Sequence, residues 1–156
     1  MSAPVLDVRI EGAERWQRRL QNVEGRLDNF VPLGEQLEPV IYGRFGRWLS
    51  AEGEGTWQPL SPGYAAWKAK RYPGRRIMVL TGALVESLTD RNGQFSVRRI
   101  DRRGGEWGTR APYAQFHDKG TKRAPKRRVI IITPAFRKDI VGVMRDYGRD
   151  AVRHSA

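Results

Sequence analysis

Residues 94–110 read QFSVRRIDRRGGEWGTR, and the period of this stretch decides the fold class. Phe95, Val97 and Ile100 alternate with polar residues, Gly104-Gly105 turns the chain, and Trp107 and Thr109 return. That is the signature of a β-hairpin. The segments on either side repeat every three or four residues instead. A hairpin set among helices predicts an α+β protein: a small, mostly antiparallel sheet with helices packed on it.

Toward the N-terminus, Leu33, Leu37, Ile41, Phe45 and Trp48 fall on one helical stripe. Pro32 fits its first turn, and Pro39 inside it predicts a kink or a restart near Glu38. Ahead of it, Trp16, Leu20, Val23, Leu27 and Phe30 form another stripe, with Arg15, Arg18, Arg19 and Arg26 off it. The two segments make an N-terminal helical hairpin, each expected to bury its stripe. Leu6, Val8 and Ile10 alternate with Asp7 and Arg9, so residues 4–10 read as a short strand or arm within the first twelve residues.

Between these helices and the hairpin, TWQPLSPGYAAWKAKRYPG (56–74) leaves room for one short helix, about 62–71, with Ser61 as N-cap and Pro62 in its first position. Thr81-Gly82 precedes a second short helix carrying Leu84 and Leu88. After the hairpin, Pro112 opens a helical turn through YAQFHDKG, which Gly120 stops. A basic loop over 119–128 follows, expected to be flexible, and Val129–Thr133 reads as a buried strand. The last helix, from Pro134, sets Phe136, Ile140, Val143, Tyr147 and Ala151 on one face. Residues 1–156 fit one domain.

The net charge is +12. Residues 1–55 carry seven Arg and nine Asp/Glu, and residues 56–156 carry twenty-two Lys/Arg and eight Asp/Glu. Such polarity points to an acidic partner, either nucleic acid or the acidic face of a neighbouring subunit. The absence of cysteine excludes disulfides and thiol chemistry. The longest apolar runs, Ile77–Leu80 and Val129–Ile132, fall far below the roughly 18 residues of a membrane span. The opening MSAPVLDVRIEG has no apolar core of a secretory signal, so a cytosolic origin is expected.

His117-Asp118 resembles a catalytic pair, but sequence neighbours on a helix do not face each other. No metal-ligand spacing, nucleophile elbow or phosphate loop is present, so no enzyme and no cofactor is expected. His117 is expected to order a helix end, where the dipole favours its charged form. The basic loop is the better functional candidate. Lys119, Lys122, Arg123, Lys126, Arg127 and Arg128 are six positive charges in ten residues, and they repel one another unless an acidic group is near. Arg98, Arg99, Arg102 and Arg103 on the hairpin form a second cluster, expected at an interface or against DNA. The loop interleaves no aromatics for base stacking, so as a nucleic-acid grip it would hold phosphates without reading sequence. Trp57 and Trp67, flanking Pro59, Leu60 and Tyr64, are expected to clamp the proline-rich connector to the core.

Four pieces, taken in order, resemble the phage virion morphogenesis family, the tail-completion and head–tail connector proteins of tailed bacteriophages. The first is Trp57, Pro59, Leu60, Tyr64 and Trp67-Lys68; the second is Thr81, Gly82, Leu84 and Ser87. The third is Tyr113-Ala114, His117 and Gly120, and the fourth is the basic linker into Pro134-Ala135-Phe136-Arg137. The last departs from the family's order, and the resemblance covers about residues 30–150. It implies a structural component of the virion neck, assembled in the host cytoplasm. Its copies would form a ring around the DNA channel, completing the head or the tail so that the two join. The implied partners are copies of itself and the neck proteins on the adaptor and tail-tube sides, with nonspecific contact to genomic DNA and no membrane. The alternative class is a sequence-nonspecific nucleic-acid-binding protein.

Overall fold

The computed structural model describes residues 13–154. The alternating segment expected over residues 4–10 lies outside them. The order of elements is α1 (Ala13–Leu27), α2 (Val31–Ser50), α3 (Pro62–Arg71), α4 (Ala83–Thr89), β1 (Ser96–Asp101), β2 (Gly104–Thr109), α5 (Ala114–Lys119) and α6 (Pro134–Arg153). This is α+β, with the hairpin where the change of period places it.

The axis of the molecule is α2. Leu37, Ile41, Phe45, Trp48 and Leu49 are buried on it and meet Leu84 and Leu88 of α4 and Phe136 of α6 in one core. The helix runs through Pro39 without the expected restart. Proline removes the bond to the carbonyl of Glu35, but this side of the helix is exposed, so water can satisfy that carbonyl. The buried Leu37 and Ile41 hold the turns on either side.

The predicted inward face of α6 is observed: Phe136 and Ala151 are buried, with Ile140, Val143 and Tyr147 partly so. Thr133 caps this helix by accepting from Phe136 N at 3.1 Å. Phe45 and Phe136 meet edge to face at 6.2 Å, joining α2 to the start of α6.

The stripe of α1 does not bury as expected. Leu20 and Leu27 are 64% and 56% exposed. The helix is held instead by polar groups from its arginine side. Arg19 Nη2 donates to Val152 O at 3.0 Å, and Arg26 O accepts from Tyr147 Oη at 3.1 Å.

β1 and β2 pair antiparallel, with Arg98 opposite Trp107 and Ile100 opposite Gly105. The hairpin docks on the start of α2 through Phe30 N to Arg102 O, 3.0 Å. Ser87 is fully buried on α4, donates to Leu84 O at 2.8 Å and shares a hydrogen bond with Thr109 Oγ1 at 2.7 Å. That small hydroxyl ties α4 to β2.

Val129–Thr133 is not a strand: the chain bends at Val129 and Ile130, and no ladder partner lies beside it among the described residues. Side chains anchor it. The indoles of Trp48 and Trp57 both donate to Arg128 O, at 2.9 and 3.2 Å, and Val129 is buried beneath. Burial therefore accounts for Val129 and in part for Ile130 and Ile131, while Ile132 at the far end is exposed.

Candidate partner-binding site

Beyond the C-terminal end of α2, the connector, α3, the turn before α4, α5 and the basic loop enclose a groove of about 590 Å³. Leu60 and Tyr64 come from the first sequence motif, Thr81, Gly82 and Leu84 from the second, and Tyr113 and His117 from the third. Pieces more than fifty residues apart thus line one surface. Several motif residues serve it by shaping backbone. Gly82 takes φ 99° ahead of α4, a left-handed conformation that favours glycine. Gly120 takes φ 76°, and a Cβ there would lie 3.0 Å from Lys126 N.

Trp57 clamps as expected: it is buried, stacks edge to face on Trp48 at 6.3 Å and bonds to Arg128 O. Trp67 does not. It is 49% exposed, stacked on Tyr64 at 5.3 Å and in edge contact with Tyr72 at 5.9 Å. The connector therefore presents an aromatic face beside the groove. Pro59 offers only its carbonyl, to Arg127.

The basic loop divides into two kinds of residue. Lys119, Lys122, Arg123, Lys126 and Arg128 are exposed. Arg127 is 5% exposed and is used within the fold: its Nε and Nη2 donate to Gln58 O and Pro59 O at 2.9 and 3.1 Å. Its backbone N donates to His117 O at 2.8 Å, and a turn at Thr121, whose N donates to Ala124 O, shapes the stretch between. This differs from an arm free along its whole length.

His117 differs too. Burial, with the nearby Arg127 charge adding, lowers its pKa from the usual 6.5, so the neutral imidazole is favoured over the charged form expected at a helix end. Desolvation and a like charge outweigh the end of a helix only six residues long.

Two groove residues were given no site role by the sequence reading. Lys68 is 4% exposed on α3 and donates Nζ to Arg76 O; burial lowers its pKa. The signal was its place four residues after Tyr64, on the same side of a short helix. Met78 has φ 62°, a costly conformation for a non-glycine residue, and no sequence cue announces it.

The hairpin cluster lies elsewhere and is mostly paired. Arg98 Nε sits 2.6 Å from Glu38 Oε2, Arg99 Nη2 3.3 Å from Asp101, and Arg102 Nη2 3.4 Å from Asp28. Glu38 is 7% exposed and was also missed, being a lone acid on an apolar stripe. Arg98–Glu38 and Arg102–Asp28 join the acidic N-terminal part of the sequence to the basic remainder, whereas Glu54 pairs within the N-terminal part, with Arg44 at 3.1 Å, so most of the charge polarity along the sequence persists in the fold.

Among the described residues no group of three His, Asp or Glu is placed to hold a metal ion. No described helix is long and apolar enough to cross a membrane. No curated protein and no solved structure matches the chain. A family model does match, over residues 8–147, a span that contains every residue lining the groove. The chain belongs to the phage virion morphogenesis family.

Proposed function

We propose that this chain is a structural protein of the neck of a tailed phage, forming a ring that completes the head or the tail and joins them around the DNA channel. The family match over residues 8–147 carries the reading. The surface supports it. A closed ring needs one patch of each subunit to meet a different patch of the next. Leu20 and Leu27 of α1, with Val141, Met144 and Val152 of α6, are large apolar side chains left exposed in the single subunit. The exposed cations Lys119, Lys122, Arg123, Lys126 and Arg128 are free to meet an acidic neighbour. The role is one of contact rather than turnover, and no cofactor is required.

The nucleic-acid reading has less behind it, because Arg98, Arg99 and Arg102 each have a carboxylate partner in the chain. Electron microscopy of virions made without this protein tests the proposal. Unjoined heads and tails are expected; heads and tails that still join would sink it.

A further inference from the structure

We propose that the groove between α3, the turn before α4, α5 and the basic loop seats the N-terminal segment, residues 4–11, of a second copy of this chain. The inference rests on the ring reading above and names one of its contacts.

The walls are chemically one-sided. Leu60, Met78, Leu80 and Leu84 supply apolar surface, Tyr64 and Tyr113 supply aromatic faces, and Lys68, Arg123 and Arg127 place cations among them. Among the described residues no acidic one lines the groove. At about 590 Å³ it falls in the range, roughly 300–1,000 Å³, that encloses a few side chains. The fitting occupant is an extended peptide with apolar side chains at alternate positions and carboxylates between or beside them. Residues 4–11, PVLDVRIE, have that pattern: Leu6, Val8 and Ile10 alternate with Asp7 and Arg9, and Glu11 follows. On an extended chain the three apolar side chains face one way, and Asp7 and Glu11 are left to meet the exposed Arg123 at the rim, with the positive potential of the buried Lys68 and Arg127 behind it.

The geometry favours a neighbour's segment over the chain's own. α1 is fastened to the last turns of α6, through Val152 and Tyr147. The groove lies toward the other end of α6, where Arg44 of α2 bonds Thr133 and Phe45 meets Phe136. From Phe136 to Val152 the helix is about 24 Å long at 1.5 Å per residue. An extended chain covers that in about seven residues at roughly 3.4 Å each. Residues 4–11 of the same subunit would be consumed in reaching the groove and unable to fill it. A copy placed head to tail, as in a ring, delivers them directly.

The test uses the full chain with a benzoylphenylalanine photo-cross-linker in place of Tyr113. Isotopically heavy and light chains are mixed before assembly, irradiated, and the linked peptides identified by mass spectrometry, with rings counted by electron microscopy in the same sample. The expected product joins position 113 of one chain to residues 4–11 of the other, in pairs carrying one heavy and one light peptide. Leu6→Asp with Ile10→Asp places carboxylates against the apolar walls and is expected to lower that yield by about tenfold or more. Rings whose cross-links lie only within one chain, reach another segment, or do not form would overturn this inference and leave the ring reading standing. Absence of rings would overturn both.

Discussion

Arg127 donates its backbone N–H to the carbonyl of His117 at 2.8 Å, and this bond closes the basic loop onto the helix it has just left. It also brings a guanidinium close to an imidazole that is already half-buried. The pairing of two like-signed groups gives the loop a dependence on pH.

Because the folded pKa of His117 lies below 6.5, the unfolded chain takes up this proton first as the pH falls. The stabilisation is fully present above the unfolded value and is lost as the pH drops below it toward the folded value. Urea unfolding at about pH 7.5 and about pH 5.5 should therefore find a larger loss for the parent chain than for His117→Gln. Equal losses would remove the imidazole from the account.

Arg127→Ala deletes two charged hydrogen bonds and strands the carbonyls of Gln58 and Pro59. A cost of about 2–3 kcal/mol is expected in denaturant unfolding. Arg127→Lys should recover little of it, since an ammonium does not reproduce the two-pronged fork.

Glu38→Ala leaves Arg98 without its partner in a site that is largely dry. A loss of about 3 kcal/mol is expected, and replacing both residues with leucine should restore most of it. A double variant no more stable than Glu38→Ala would show that the pair matters for more than mutual neutralisation.

Changing Lys122, Arg123, Lys126 and Arg128 together to glutamine should leave thermal unfolding nearly unchanged, within about 1 kcal/mol, because all four are exposed. Head–tail joining, read as phage titre, should fall sharply. An unchanged titre would remove these cations from the proposed interface. Arg127 is left out of the set because its loss would unsettle the fold itself.

The fold was legible where pattern and burial coincide. Ser61-Pro62, Thr81-Gly82 and Pro112 to Gly120 marked α3, α4 and α5, and the α2 and α6 stripes are the faces that pack. Legibility failed where tertiary contacts choose among equivalent readings. An apolar run such as Val129–Thr133 reads the same whether a ladder or two indoles anchor it. Within a run of six cations, nothing local marks Arg127 as the one that turns inward. The groove was legible only as scattered motifs, because the surface they share exists only after the chain has folded.

The two sides of α1 answer to salt in opposite senses. Its inner side is fastened by a guanidinium to a carbonyl at the last turn of α6, a contact between charge and dipole that dissolved ions screen. Its outer side presents Leu20 and Leu27, whose tendency to leave water grows as excluded salts such as sulfate are added. Adding such salts therefore weakens the Arg19 contact while strengthening the tendency of Leu20 and Leu27 to leave water. In the proposed ring, the ionic composition of the medium would bias α1 between its own subunit and the next.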